Sequence, residues 1–179
     1  RWSTMFIELT TQQRDLELEL RKYFSELISP EEREELKVDR HGRPFKEIVK
    51  RMGRDGWLGV GWPREYGGRG FGALEQLIFA NKAARAGVPL PALTLQTVGR
   101  TLQKFGSDYL KNRFLPAILK GEVHFAIGYS EPDSGTDLAS LRTSAVLDGD
   151  HYVVNGQKIF TTAAHEADFI WLACRTDPD

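Results

Sequence analysis

Apolar residues recur at helical spacing through the larger, first part of the chain. After the polar residues Thr10 and Thr11, which can cap a helix, apolar side chains follow at i, i+4, i+7, i+8 and i+11. These residues are Leu16, Leu20, Tyr23, Phe24 and Leu27. The spacing places all five on one face, so it predicts an amphipathic helix that packs against a core.

The same signals predict five further helices. Ser29-Pro30 begins a second helix, and Pro44 begins a third that ends at Gly56. Three more are predicted over Ala73–Ala86, Leu93–Phe105 and Asp108–Leu119, the last capped by Ser107. After Gly121 the apolar period changes from 3.6 to 2. This change predicts a boundary between a helical domain, residues 5–121, and the first part of a sheet domain, residues 122–179.

The sheet part is predicted to hold three short strands. Val123–Ser130 is one, and Ser144–Leu147 with Tyr152–Asn155 forms a hairpin around the turn at 148–150. Asn155-Gly156 is a strong two-residue turn signal, so we expect a second reversal there. Strands this few leave unpaired edges, which indicates that the sheet continues in further sequence.

Two polar segments flank the hairpin. The loop Asp133–Asp137 and the segment Gln157–Thr162 both offer hydroxyls and backbone N–H groups. If the hairpin returns them toward each other, the pair suits a flat polar ligand held by short donors. The alternative is a strand connection stabilised by local Asx and Ser/Thr turns.

Other chemistries have weaker support. Residues 68–73, GRGFGA, match the dinucleotide fingerprint by letter, but no strand precedes them and no acid follows about 20 residues on. Residues 128–131 begin like a hydrolase nucleophile elbow, but Pro132 stands where the second Gly belongs. Glu131, Asp133 and Asp137 fit no dedicated metal loop, so no metal site is predicted. The four histidines are interpreted as surface or satisfied residues.

Composition narrows the classes of function. The 179 residues are 41% hydrophobic and 27% charged, with a net charge of −1, which argues against a dedicated nucleic-acid binder. The apolar run Phe169–Cys174 is too short to span a membrane. Cys174 is the single cysteine of the sequence, so it excludes an intrachain disulfide and fits a reducing cytoplasm.

Four segments resemble the flavin-dependent acyl-CoA dehydrogenases. SEPDSGTD (130–137) and DGDHYVVNGQKIFTTAA (148–164) are similar to the signature of that family's middle domain. GWLGVGWPREYGGRG (56–70) and FLPAILKGE (114–122) are similar to its helical domain. The resemblance implies an α+β multidomain protein with an all-α N-terminal domain followed by the start of an antiparallel β-barrel domain. The family's C-terminal helical bundle lies outside this chain.

The resemblance also implies site residues. Ile127, Tyr129 and Ser130 match positions that border the flavin ring, and Thr162 matches the hydroxyl donor to its reactive nitrogen. Phe160 stands where the family has Trp. Gly135 and Thr136 match the loop that contacts FAD, and Thr136 also matches a contact with the bound acyl-CoA. No residue of the chain matches the catalytic base.

The implied reaction is α,β-dehydrogenation of an acyl-CoA thioester, with hydride passing to FAD and electrons to an electron-transfer flavoprotein. A homo- or heterotetramer is implied. A second hypothesis is a non-catalytic or half-site subunit of a heteromeric dehydrogenase, as in bacterial members that act on sterol side chains. A third is an acyl-CoA oxidase, which passes electrons to oxygen.

Overall fold

The computed structural model describes residues 8–177, in which a helical part precedes a sheet part. The ends of the two predicted domains, at residues 5 and 179, lie outside the described residues. The helices are α1 Thr11–Leu27, α2 Pro30–Val38, α3 Arg43–Arg54, α4 Ala73–Arg85, α5 Gly99–Phe105 and α6 Asp108–Leu119. The strands are β1 Phe125–Gly128, β2 Ser144–Asp148, β3 His151–Asn155 and β4 Phe169–Leu172. The predicted order of helices and then strands is confirmed.

Local capping explains where three of the helices begin. Thr10 Oγ1 accepts the N–H of Gln13 at 3.2 Å, and Gln13 Oε1 accepts the N–H of Thr10 at 3.0 Å. Ser29 and Glu32 form the same reciprocal pair at the start of α2, and Ser107 accepts the N–H of Leu110 at the start of α6. Each cap satisfies N–H groups that the helix leaves unpaired. The predicted caps at Thr10 and Ser107 are confirmed, and so is the predicted helix start at Ser29-Pro30.

The predicted helix over Leu93–Phe105 is irregular in its first part. Leu93–Val98 is a π-helical turn, and α5 continues from it. Such turns are rare and are often found at functional sites. Thr94 in this turn is buried, and its Oγ1 accepts the N–H of Phe125 at 3.0 Å. The turn therefore attaches the helical part directly to the start of β1.

The Gly-rich connection packs around Trp62. The indole is 1% exposed and donates its Nε1–H to the carbonyl of Leu95 at 3.2 Å. A Cβ on Gly68 would lie 2.1 Å from the carbonyl oxygen of Trp62, so a glycine is needed for this close backbone approach. Residues 68–73 lead from a short 3₁₀ turn, Arg64–Tyr66, into α4. The glycines serve packing and turns here, in agreement with the sequence interpretation.

The sheet part contains two strand pairs of opposite kinds. β2 and β3 pair antiparallel as predicted, through a turn at Gly149-Asp150. β1 pairs with β4 in parallel, with Phe125 opposite Phe169 and Gly128 opposite Leu172. The expectation of antiparallel pairing is therefore wrong for this ladder, because the connection between β1 and β4 carries the chain back to the end where β1 begins.

The second predicted reversal, at Asn155-Gly156, is wrong. Gly156 follows the end of β3, and the residues after it do not pair with β3. A Cβ on Gly156 would lie 2.3 Å from Thr143 Oγ1, so the glycine permits close packing rather than a hairpin turn. From this contact the chain runs back toward the end of β1.

Aromatic and ionic contacts hold the sheet part on the helices. The rings of Phe114, Phe125 and Phe169 pack with centroids 5.2–5.5 Å apart. Lys46 on α3 pairs with Glu166 at 2.9 Å. By contrast, the β2–β3 hairpin leaves apolar side chains exposed, as expected of strands with open edges. These side chains are Val146, Leu147, Tyr152, Val153 and Val154.

No helix within residues 8–177 has the length and apolar character needed to cross a membrane.

We expect Thr94→Val to lower the free energy of unfolding by about 1–3 kcal/mol, because the buried N–H of Phe125 loses its acceptor. Chemical denaturation of the full-length protein measures this change. Thr97→Val is the matched control on the same turn, where no side-chain hydrogen bond is lost, and should change stability by less than about 0.5 kcal/mol. Equal effects of the two substitutions would contradict the role assigned to Thr94.

Candidate functional site

A buried carboxylate lies at the end of β1. Glu131 is 7% exposed and accepts hydrogen bonds from four donors. Its Oε1 accepts from the N–H of Thr143 at 2.8 Å, from Thr143 Oγ1 at 2.6 Å and from Lys158 Nζ at 2.8 Å. Its Oε2 accepts from the N–H of Arg142 at 2.7 Å. A buried carboxylate is tolerated in this position because its charge is paired and its lone pairs are used.

Lys158 is the cation of this pair. Its side chain is 10% exposed, and Nζ also donates to the carbonyl of Tyr129 at 2.9 Å. No sequence signal predicts this partnership, because the two residues are 27 positions apart and no local pattern links them. The Lys158 ammonium, with the Thr143 hydroxyl and the Arg142 N–H, holds the pKa of Glu131 well below its ordinary value of 4.5.

The ion pair aligns two segments of the candidate site. Besides the contacts of Lys158, the N–H of Ile159 donates to the carbonyl of Ser130 at 2.9 Å. Tyr129–Glu131 and Lys158–Phe160 therefore lie side by side. The loop Asp133–Asp137 was predicted to approach Gln157–Thr162, whereas the described contacts join Lys158 and Ile159 to Tyr129–Glu131, just before that loop.

The segment after Lys158 has a strained backbone. Phe160 and Ala163 have φ values of 55° and 57°, in the left-handed region that residues other than glycine seldom adopt. Each such residue costs about 1–3 kcal/mol, and strained residues of this kind cluster at ligand sites. The side chain of Phe160 is 87% exposed. Its aromatic face is open to a ligand or to another part of the protein.

The other predicted residues are distributed around this point. Ile127 is half-buried in β1, opposite Trp171 of β4. Gly135 and Thr136 lie exposed in a loop that Ser134 closes by donating its Oγ–H to the carbonyl of Asp137 at 2.9 Å. Within residues 8–177 no hydrogen bond joins Thr136 to the 160–162 segment. Their contacts with FAD and with acyl-CoA stay predictions.

Thr162 borders a cleft between the helical and sheet parts. The cleft has a volume of about 130 Å³ and is lined by Phe45 and Lys46 of α3, the 90–94 segment, His124–Phe125 and Thr162–Ala163. Its walls are largely apolar. The cleft thus places a predicted flavin contact, Thr162, at a largely apolar cleft between the domains.

His124 in this cleft departs from the sequence interpretation. It is 8% exposed, and its Nε2 has no hydrogen-bond partner among the described residues. It is neither a surface histidine nor a satisfied one. No sequence signal could have shown this, because burial of a single residue before a short strand is a tertiary effect. In the described part of the chain, no group of three or more metal-ligating residues is found.

The described residues thus form a two-domain fold in which a helical domain is joined to a sheet domain, with a strained aromatic segment beside the cleft between them. Residues 10–122 match the acyl-CoA dehydrogenase N-terminal domain, and residues 126–179 match the acyl-CoA dehydrogenase middle domain. The chain belongs to the acyl-CoA dehydrogenase family.

Individual relatives support this assignment. The chain is 69% identical over 175 residues to acyl-CoA dehydrogenase FadE29 of Mycobacterium tuberculosis, covering 98% of this chain and 45% of that protein. Its fold matches a chain of the ChsE4–ChsE5 complex from the same organism with a TM-score of 0.92 and 54% identity, over 97% of this chain and 45% of the other. It matches a chain of the Tcur3481–Tcur3483 steroid ACAD with a TM-score of 0.91 and 50% identity, over 98% of this chain and 46% of the other. The chain spans about half the length of these relatives.

We expect Glu131→Gln to lower the melting temperature of the full-length protein by roughly 5 °C at pH 7, because Lys158 loses its counter-charge. The pKa of Glu131 is depressed in the folded state, so its stabilisation is present above about pH 4.5 and is lost as the pH falls through the folded value. The difference in melting temperature between the wild type and Glu131→Gln should therefore become smaller as the pH is lowered from 5 to 3.

Melting curves across this pH range measure the difference. Glu122→Gln is the control, because Glu122 is exposed and lies outside the network. A difference for Glu131→Gln that stays constant down to pH 3 would show that the charge of Glu131 does not contribute.

Proposed function

We propose that the full-length protein is an FAD-dependent dehydrogenase that removes hydrogen from Cα and Cβ of an acyl-CoA thioester. The observation that carries the proposal is the buried pair of Glu131 and Lys158, which sets the end of β1 beside the strained Phe160–Thr162 segment. Family membership of the chain supports the reaction type.

The residues present fit a flavin. An isoalloxazine is a flat ring system with polar edges, so it needs an apolar or aromatic face and short donors. Phe160 supplies an exposed aromatic face, and Ser130 and Thr162 supply hydroxyls. FAD, when bound, supplies the hydride acceptor. In the proposed site Ile127 and Tyr129 border the ring.

The exposed loop completes the proposed site on its other side. Around Gly135, no heavy atom lies within 4 Å of the position that a Cβ would occupy, so its backbone is open to a ligand. Thr136 beside it is exposed as well. We assign Gly135 to FAD, and Thr136 to both FAD and acyl-CoA.

Glu131 does not serve as the catalytic base. Its four donors use both carboxylate oxygens, and a depressed pKa makes it a poor proton acceptor at neutral pH. Glu166 is engaged with Lys46. We therefore assign the α-proton abstraction to no residue of this chain, and the roles proposed for its side chains are binding, orientation and exclusion of water.

A second candidate function is a half-site subunit of a heteromeric dehydrogenase. It is favoured by two solved relatives that are each complexes of two proteins, ChsE4–ChsE5 and Tcur3481–Tcur3483. The second of these relatives is a steroid ACAD, which supports a steroid-bearing acyl group as the substrate class. We propose a tetramer in either case, with an electron-transfer flavoprotein as the acceptor and the cytoplasm as the compartment. Rapid oxygen consumption on adding substrate would instead indicate an acyl-CoA oxidase.

We expect the full-length protein, purified with any partner subunit it retains, to show flavin absorption, and Phe160→Ala to weaken flavin binding about tenfold. The reason is the loss of the aromatic face at the candidate ring site. Flavin content and dissociation constant measure this effect. Phe105→Ala is the matched control, since Phe105 is also a largely exposed phenylalanine but lies at the end of α5. The full-length protein is purified once alone and once with its partner subunit. If the folded protein contains no flavin in either preparation, the proposed function is contradicted.

A further inference from the structure

His124 is held firmly at the junction of the two domains. Its backbone N–H donates to Asp168 Oδ2 at 2.8 Å, and its carbonyl accepts the N–H of Asp168 at 2.9 Å. Its ring packs against Phe45 with the centroids 5.4 Å apart. The backbone of His124 is thus fixed by Asp168, and its imidazole packs against Phe45. A buried nitrogen without a partner is unfavourable, so a persistent one in a rigid setting calls for a ligand or a water.

The surroundings of His124 are those of a small binding site. The cleft of about 130 Å³ that His124 lines is close to the roughly 150 Å³ cavity that holds one benzene ring. Leu90, Leu93 and Phe45 give it apolar walls. Thr94 Oγ1 accepts the N–H of Phe125. The space therefore suits a carbon ring that carries an oxygen within reach of His124.

The charge around His124 selects an uncharged oxygen. Burial lowers the pKa of His124, Asp168 opposes that effect, and Lys46 and Lys50 add to it. The imidazole is therefore neutral at pH 7. Lys46 is itself paired with Glu166, so the described residues that line the cleft leave no unpaired lysine or arginine to neutralise a buried carboxylate. A carbonyl or a hydroxyl fits this environment, and His41 is the other imidazole on the cleft wall.

We propose that the cleft holds a six-membered ring of the acyl group and that His124 Nε2 hydrogen-bonds to an uncharged oxygen on that ring. His124 is then a specificity-determining residue, distinct from the residues assigned to the flavin. The inference rests on the proposed function, because the acyl group enters the cleft beside Thr162.

The test compares two thioesters on the full-length protein with any partner subunit it retains. The probes are 4-oxocyclohexanecarboxyl-CoA and cyclohexanecarboxyl-CoA, which differ by one ring oxygen. Calorimetry gives their dissociation constants, and steady-state kinetics gives their kcat/KM ratio. We expect the wild type to prefer the oxo compound about tenfold in both measurements, as one net hydrogen bond allows.

Three variants separate recognition from packing. His124→Phe keeps an aromatic ring against Phe45 but removes the nitrogen, and should reduce the preference to within about twofold without lowering the melting temperature. His124→Gln keeps a polar group at the reach of Nε2 and should retain most of the preference. His41→Phe is the matched control, since His41 contacts the same Phe45 ring at 5.6 Å, and should leave the preference unchanged.

Loss of the preference in His124→Phe alone, with partial rescue by His124→Gln, supports the inference. An equal affinity of the wild type for the two thioesters, or equal losses in His124→Phe and His41→Phe, overturns it while leaving the proposed function in place. Failure of the wild type to bind either thioester overturns the inference and the proposed function together.

Discussion

The buried ion pair of Glu131 and Lys158 is the interaction on which the candidate site depends. Removing two charges from water is costly, and such a pair seldom stabilises a fold more than apolar residues of the same size would. Here the pair fixes how the chain segments that it joins are aligned with one another. Glu131 ties the end of β1 to Thr143 and Arg142, while Lys158 returns to Tyr129, so three separate stretches of chain meet at one carboxylate. A shift of one residue in any of them would leave a buried charge unpaired.

The strained segment beyond Lys158 follows from this anchoring. Phe160 and Ala163 remain in left-handed conformations because the chain is fixed on both sides of them. On one side, Ile159 is bonded to Ser130, and on the other, Glu166 is paired with Lys46 of the helical domain. As a result, the side chain of Phe160 is exposed at the start of this segment, and Thr162, two residues further on, borders the interdomain cleft. One anchored segment thus serves both the flavin and the acyl group in the proposed reaction.

Local signals predicted the helical part well. The caps at Thr10, Ser29 and Ser107 depend on residues three positions apart, and the helices begin where the sequence predicted their starts. The sheet part was less predictable because its determinants are distant in sequence. The parallel pairing of β1 with β4 brings together strands that the hairpin separates, and Gly156 is used for contact with Thr143 rather than for a turn. The partnership of Lys158 and the buried state of His124 likewise depend on tertiary packing, which no periodicity records.

The flavin affinity of a full-length protein with both Glu131→Gln and Lys158→Met tests the central claim most directly. The double substitution removes both charges together, so it leaves no unpaired buried ion. It also removes the ion pair that aligns Tyr129–Glu131 with Lys158–Phe160. We predict a folded protein, with near-wild-type helical content, whose flavin dissociation constant is at least about tenfold higher. An unchanged dissociation constant in the folded double variant would contradict the account, because the site would then form without the ion pair.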